Sequence, residues 1–132
     1  MMISHFRHSE IILYVNDEQL SAKFYAALFR TNPEMIAPGM IEFVISDSLK
    51  LGLMPASGIA KIISPPLPLP NLGNGIPRCE LYFLVDDVDF EMDHALICGG
   101  KMVNEVADRD WGDRVGYVAD PDGHVIAFAQ RK

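Results

Sequence analysis

The stretch Glu80-Leu81-Tyr82-Phe83-Leu84-Val85-Asp86-Asp87 decides the fold, because it restates a pattern found seventy positions earlier in the chain. The earlier copy is Glu10-Ile11-Ile12-Leu13-Tyr14-Val15-Asn16-Asp17. Each copy opens with Glu, continues as a short β-rich apolar run and closes on residues that favour a helix start. The two copies therefore predict the same strand in two modules, with Glu10 and Glu80 at equivalent places.

The residues after each strand predict one repeated order of elements, strand–helix–strand–strand–strand. In the first copy, Asn16 is the predicted helix cap, and Leu20, Phe24 and Leu28 form the predicted apolar face at four-residue spacing. Strands are expected over 10–15, 34–37, 40–46 and 49–54, and in the second copy over 79–85, 101–106, 114–119 and 124–130. The predicted class is α+β, two βαβββ modules forming a curved sheet around a cavity.

The 132 residues fit one domain, 1–132, in which the repeats 9–55 and 79–130 are joined by a linker over 56–78. Four of the nine prolines lie in Ser64-Pro65-Pro66-Leu67-Pro68-Leu69-Pro70, and we expect regular structure to be absent from residue 55 to residue 77. A linker or lid is the favoured interpretation. A proline-rich ligand for a partner protein is an alternative.

Composition excludes several classes of function. The net charge of −7 comes with scattered basic residues, which disfavours nucleic-acid binding and favours a cationic ligand in any carboxylate-lined cleft. The longest apolar runs are too short to cross a membrane, and residues 1–7 lack the pattern of a signal peptide. We therefore expect a cytoplasmic protein with no membrane partner. Cys79 and Cys98 are expected to be reduced, packed residues.

Alternation along the strands predicts two sheet faces in each module. One face is uniformly bulky and apolar, as a helix-covered face requires: Ile11, Leu13, Val15, Leu51, Leu53, Leu81, Phe83, Val85, Ile126 and Phe128. The other carries charge, phenols and small residues: Glu10, Ile12, Tyr14, Lys50, Gly52, Met54, Glu80, Tyr82, Leu84, Val125, Ala127 and Ala129. The small residues on this second face predict a cavity into which Glu10 and Glu80 point.

The two strand–helix modules, the Phe24-Tyr25 pair in the first helix and the turn Asp120-Pro121-Asp122-Gly123 before the last strand resemble the vicinal oxygen chelate superfamily. Its members include glyoxalase I, bleomycin-resistance proteins and extradiol dioxygenases. The match is strongest over residues 111–126 and covers nearly the whole chain. The resemblance implies a homodimer.

The resemblance also implies where a metal would be held in the metal-dependent members, at the first and last strand of each module. Those positions are Glu10, Gly52, Glu80 and Ala127 in this chain. Gly52 and Ala127 have no ligating atom, so the ligand set is not intact. We expect no cofactor, although two glutamates can hold a divalent metal weakly.

The sequence leaves two classes of function open. The leading interpretation is a metal-independent small-molecule binding protein that resembles the bleomycin-resistance branch and takes an aromatic or cationic compound. Its candidate ligand-binding residues are Glu10, Tyr14, Met54, Glu80, Tyr82, Trp111 and Arg114. The alternative is a divergent glyoxalase I-like lyase or isomerase, with Glu10 and Glu80 as catalytic candidates.

Overall fold

A computed structural model describes residues 5–132 of the chain. Residues 1–4 lie outside the described residues. They belong to the stretch 1–7 that was predicted not to be a signal peptide. The chain divides into two compact units: one runs to Ala26 and includes Arg30–Gly73, and the other comprises Ala27–Phe29 and Asn74–Lys132. Each unit is built on its own sheet.

The first unit contains a four-stranded mixed sheet with the strand order β1-β4-β3-β2. Strand β1 pairs parallel to β4, and the remaining neighbours are antiparallel. In chain order the elements are β1 (Ser9–Val15), α1 (Glu18–Phe29), β2 (Met35–Ala37), β3 (Met40–Ser46), β4 (Leu49–Pro55) and α2 (Ala56–Ile63).

The second unit contains a sheet with the corresponding order β5-β8-β7-β6, in which β5 pairs parallel to β8. Its elements are β5 (Glu80–Leu84), α3 (Val88–Ile97), β6 (Lys101–Asp108), β7 (Asp113–Ala119) and β8 (Val125–Arg131). Neither sheet closes on itself. The predicted α+β class with two βαβββ modules is confirmed, and the predicted strand ends lie within two residues of the observed ones.

Helix α1 begins one residue later than predicted and buries Phe24 and Leu28 as predicted, but not Leu20. The Asp17 carboxylate, not Asn16, caps the helix by accepting hydrogen bonds from the backbone N–H groups of Gln19 and Leu20 at 3.0 and 3.1 Å. Leu20, predicted to be in the core, is 57% exposed. The buried residues are Ser21, Phe24, Tyr25 and Leu28. Their spacing of three and four follows the helical period more closely than four-residue spacing alone.

The predicted linker 56–78 contains regular structure, so that part of the prediction is wrong. Helix α2 occupies Ala56–Ile63, and a turn of 3-10 helix follows at Pro70–Gly73. Alanines and a lysine in the sequence favour the helix, and burial of Ile59 anchors it. It ends at Ser64 because that residue precedes Pro65, whose ring disfavours helical backbone before it.

The predicted apolar faces form the cores of both units. Leu13, Val15, Leu51 and Leu53 are at most 3% exposed in the first unit, whereas Ile11 near the start of β1 is 40% exposed. In the second unit, Leu81, Ile126 and Phe128 are at most 4% exposed.

Helix α3 packs against β7 at Gly116. A Cβ there would lie only 2.7 Å from Met92 Sδ, so the glycine permits this close approach.

Both cysteines are free thiols. Cys98 is half-buried, but Cys79 is exposed, so the prediction that both are packed is wrong for Cys79. It lies just before β5, outside the alternating part of the strand. Among the described helices, none has the length and apolar character needed to span a membrane.

Candidate functional site

Glu10 lies directly beside Gly52, on the face of the first sheet that was predicted to carry charged and small residues. A Cβ built on Gly52 would collide with Glu10 Oε2 and would lie 3.1 Å from Met40 Sδ and 3.2 Å from Ile12 Cγ1. The space that Gly52 was predicted to leave for a ligand is therefore filled by the Glu10 side chain. The parallel pairing of β1 with β4 sets Glu10 opposite Lys50 and Ile12 opposite Gly52, so the Glu10 side chain reaches Gly52 diagonally.

A second carboxyl, that of Glu42 on β3, shares this face. Partial burial raises the pKa of Glu10, and a hydrogen bond to Glu42 and the charge of Glu42 raise it further, while Lys50 acts in the opposite direction. A hydrogen bond between two carboxyls requires a proton on one of them, so Glu10 donates to Glu42 when it is protonated.

Lys50 is the basic group at this cluster. Its Nζ lies 3.4 Å from Glu34 Oε1 and 3.6 Å from Glu42 Oε1. A hydrogen bond with Glu34, followed by the charges of Glu42 and Glu34, raises the pKa of Lys50. One ammonium thus faces three carboxyls, and the cluster keeps a negative charge at neutral pH.

Tyr14 and Met54 lie opposite each other in the register of β1 and β4, on the same face. Tyr14 is 40% exposed and Met54 is half-buried. Both are therefore available as apolar contacts for a ligand at the first unit.

Glu80 differs from Glu10 in its surroundings. It begins β5 opposite Val125, is exposed, and forms no ion pair or side-chain hydrogen bond with any residue that the structure describes. The two glutamates occupy corresponding strand positions, but only Glu10 is held by neighbouring side chains.

The second unit assembles a hydrogen-bonded chain of three side chains. Trp111 Nε1–H donates to Tyr82 Oη at 2.8 Å, and the Tyr82 hydroxyl donates to Asp113 Oδ2 at 2.6 Å. Burial raises the pKa of Tyr82, the hydrogen bond to Asp113 raises it further, and the bond from Trp111 lowers it. Tyr82 is thus neutral at physiological pH and serves as donor and acceptor at once.

The loop that carries Trp111 is stiffened by Arg109. The guanidinium donates to Asn104 Oδ1 and to the carbonyl oxygens of Glu105 and Val115, each at 2.9 Å, and lies 5.1 Å from the centre of the Tyr117 ring. The backbone N–H of Arg109 also donates to the Asp113 carbonyl oxygen at 2.8 Å. Trp111 nevertheless keeps 59% of its surface exposed. A fixed and exposed indole is a preorganised stacking surface.

Arg114, which stays a predicted ligand contact, forms ion pairs with two acidic neighbours. Its guanidinium nitrogens lie 3.6 Å from Asp89 Oδ1 and 3.7 Å from Asp108 Oδ1. In contrast, Asp110 and Asp113 form no salt bridge with a described residue. The loop around Trp111 therefore favours a positive ligand charge over a negative one.

Ala127 is fully buried with Val115 and Ala129, and Tyr117 packs against these three residues. It lies between Tyr82 and Tyr117 in the strand register. The space predicted beside this small residue is occupied by neighbouring side chains.

The donor set does not fit the metal centre of the metal-dependent members. Of the four corresponding positions, Gly52 and Ala127 offer no ligating atom, and Glu10 is hydrogen-bonded to Glu42. These four positions therefore do not supply the ligands of that metal centre.

A different group of potential ligands occurs in the Asp-Pro-Asp-Gly-His turn. Ligating atoms of Asp120, Asp122 and His124 lie within 4.8 Å of one another. The buried Asp120 carboxylate already accepts hydrogen bonds from the backbone N–H groups of Asp122 and His124, each at 2.9 Å, and its Oδ2 lies 2.8 Å from His124 Nδ1. These hydrogen bonds stabilise the turn, which explains why the three side chains lie close together.

Sequence reasoning missed Glu42, Asp113 and Arg109 as members of these clusters. Glu42 carried a signal, since it is the one acidic residue within an otherwise apolar run over Met40–Ser46. Asp113 and Arg109 carried none, because their roles depend on contacts that the loop conformation creates.

The architecture, two βαβββ units with mixed sheets, is that of the glyoxalase and bleomycin-resistance fold. A family model described as the glyoxalase-like domain matches residues 8–131. The chain therefore belongs to this family, and with it to the vicinal oxygen chelate superfamily, as predicted.

Similar proteins agree with this assignment. An uncharacterized protein of Mycobacterium bovis is 30% identical over 121 residues, which cover 89% of this chain and 79% of that protein. A glyoxalase-related enzyme from Fulvimarina pelagi has a similar structure, with a TM-score of 0.79 and 23% identity over 93% of this chain and 86% of that one. A glyoxalase/bleomycin resistance protein/dioxygenase family enzyme from Burkholderia phytofirmans has a TM-score of 0.75 and 14% identity. The match covers 93% of this chain and 97% of that one. These two structures establish likeness of fold alone.

Proposed function

We propose that this protein is a metal-independent small-molecule binding protein of the cytoplasm that takes a flat aromatic cation, acts by sequestration and works as a homodimer. The observation that carries this proposal is the Trp111–Tyr82–Asp113 chain, which holds an indole in place and leaves it 59% exposed. An aromatic face binds a stacked cation more strongly than a neutral ring of the same size.

Charge supports the choice of a cation. Asp110 and Asp113 lack basic partners among the described residues, and Arg109 and Arg114 are committed to other groups. The Glu10–Glu42 pair gives the first unit a negative cluster beside the apolar surfaces of Tyr14 and Met54. Similar structures include a glyoxalase/bleomycin resistance protein from Albidiferax ferrireducens, so bleomycin belongs in the set of probes.

The single tryptophan makes the binding test specific, because all indole fluorescence comes from Trp111. N-methylquinolinium, naphthalene and naphthoate form a size-matched series of cation, neutral ring and anion. We expect saturable fluorescence changes, with affinity falling from the cation to the neutral ring to the anion. Calorimetry, which needs no indole, should show that Trp111→Leu binds the cation about tenfold more weakly. Equal affinity for all three probes, or an unchanged affinity in Trp111→Leu, would contradict the proposal.

A divergent glyoxalase-like enzyme is the second candidate, and the Glu10–Glu42 hydrogen bond favours it. Two neighbouring carboxyls, of which Glu10 has a raised pKa, can act as acid and base in one site. Turnover of a 2-oxoaldehyde thiol adduct, assayed with and without added Mg²⁺ or Mn²⁺, is the test. Activity abolished in both Glu10→Gln and Glu42→Gln but retained in Glu34→Gln supports this candidate, whereas no turnover under any condition rejects it.

A further inference from the structure

A surface depression lies in the second unit where β5 and β8 end and α3 begins. It has a volume of about 380 Å³ and is lined by Leu84, Val85, Asp86, Gln130 and Arg131. This volume falls at the lower end of the range of roughly 300–1,000 Å³ typical of small-molecule sites. None of these residues belongs to the Trp111–Tyr82–Asp113 chain or the Glu10–Glu42 pair.

Two opposite charges line the depression without neutralising each other. Asp86 and Arg131 are exposed, and neither forms a salt bridge or side-chain hydrogen bond with a residue in the described part of the chain. Neighbouring Arg and Asp side chains usually pair when their geometry allows. Two unpaired charges of opposite sign in one depression leave room for a ligand that carries both complementary charges.

The helix start does not require Asp86. Helix α3 is capped by Asp87, whose Oδ1 accepts a hydrogen bond from the Phe90 N–H at 3.1 Å. The Val88 N–H donates to Gln130 Oε1 at 2.9 Å. Asp86 is therefore free to meet a ligand, and a substitution there leaves the cap in place.

The same hydrogen bond fixes the orientation of the Gln130 amide. With Oε1 facing Val88, the Nε2 donors of Gln130 stay unused by the described residues. The Arg131 guanidinium suits a carboxylate, and the free Gln130 donors offer a further polar contact in the lining. The other side of the depression offers the Asp86 carboxylate, which suits an ammonium group.

Leu84 and Val85 supply the apolar part of the lining, and Leu84 is 52% exposed. An exposed leucine at the end of a strand gains from any apolar group that covers it. We infer that this depression binds a free α-amino acid zwitterion with an apolar side chain, its carboxylate on Arg131 and its ammonium on Asp86.

The test is a titration of the isotopically labelled chain with L-leucine, followed through backbone amide signals in two-dimensional NMR. We expect saturable shifts at residues 84–87 and 130–131. The matched ligands 4-methylpentanoate and 3-methylbutylamine each lack one charge of leucine, and we expect each to bind about fivefold more weakly.

Variants assign the two charges. Asp86→Asn and Arg131→Gln are each expected to weaken leucine binding about fivefold, whereas the exposed controls Asp93→Asn and Arg7→Gln leave it unchanged. The ligand series on the unmodified chain tests the inference even if a variant fails to fold. Absence of leucine-dependent shifts at these residues, or equal binding of leucine and 4-methylpentanoate, would overturn it.

Discussion

The Glu10 carboxyl occupies the space beside Gly52 that a Cβ at position 52 would fill. This contact links the two positions that the family resemblance had paired, but it links them by packing and not through a metal. It also places Glu10 within hydrogen-bonding reach of Glu42.

Replacing Gly52 with Ala is expected to displace Glu10. The added methyl would collide with Glu10 Oε2 and press on Met40 and Ile12, and the displaced carboxyl would lose its bond to Glu42. We expect a loss of about 1–2 kcal/mol in unfolding free energy. Part of this loss should disappear in the Glu10→Ala background, which a double-mutant cycle in urea measures. Strictly additive effects would show that Glu10 does not lie over position 52.

The Glu10–Glu42 pair predicts a pH-dependent effect of Glu10→Gln. The pKa of Glu10 is raised in the folded state, so its contribution to stability is complete below the ordinary pKa of 4.5 and is lost as pH rises through the folded-state pKa. The Gln variant keeps a donor for Glu42 without the charge. It should therefore be more stable than the parent at pH 8 and lose this advantage at pH 4, as thermal unfolding can measure.

Because Glu10 is largely exposed, solvent screening limits that gain to about 0.5 kcal/mol. Asp47→Asn, at an exposed residue in the turn between β3 and β4, is a suitable control and should show no such pH trend. A Glu10→Gln variant whose relative stability is the same at both pH values would contradict the carboxyl pair.

The hydrogen bond to Asp113 predicts an unusual titration of Tyr82. Burial and Asp113 raise the pKa of Tyr82 above 10.0, so its stabilising effect is complete below that pH and is lost as pH rises through the raised value. Ultraviolet titration should show one phenol that ionises at higher pH than the others. This step should disappear in Tyr82→Phe, which assigns it to Tyr82. In Asp113→Asn the same phenol should titrate earlier. Tyr14→Phe serves as the control and should leave the late step intact.

Arg109 is expected to stabilise the Trp111 loop. Arg109→Lys removes the forked set of hydrogen bonds to Asn104 and two carbonyl oxygens while keeping the positive charge. We expect a loss of about 1–3 kcal/mol and a faster-moving indole, measured by denaturant unfolding and by fluorescence anisotropy of Trp111. An exposed arginine, Arg7, gives the matched control Arg7→Lys. Unchanged anisotropy in Arg109→Lys would contradict the role of Arg109.

His124 predicts a third pH dependence, in which the charged form of the side chain, and not the neutral form, is stabilising. Burial disfavours its imidazolium, but the hydrogen bond to Asp120 and the charges of Asp120 and Asp122 outweigh burial, and the pKa of His124 is raised. Its stabilising effect is therefore present below pH 6.5 and is lost as pH rises through the raised value. His124→Gln should destabilise the chain by about 1 kcal/mol more at pH 5.5 than at pH 9, by thermal unfolding. An equal loss at both values would show that His124 is neutral throughout.

The sequence by itself determined the class of fold and the buried faces. The repeated run from Glu80 to Asp87 and its earlier copy defined the strands that begin both modules, because alternation and helix-start residues are local properties of the chain. Because these signals are local, the prediction of elements failed where neighbouring signals conflict. The prolines after Ser64 led us to expect no helix over residues 56–63, and Asn16 was chosen as the helix cap although the adjacent Asp17 is the cap.

The tertiary structure alone decided what surrounds the candidate site residues. Glu42 meets Glu10 because β4 lies between their strands and carries Gly52 opposite Glu42, where the missing side chain leaves space that the Glu10 carboxyl enters. Asp113 and Trp111 reach Tyr82 across 31 and 29 positions of sequence, by way of a loop that Arg109 holds. Such contacts depend on strand register and on loop geometry, which local sequence patterns do not contain.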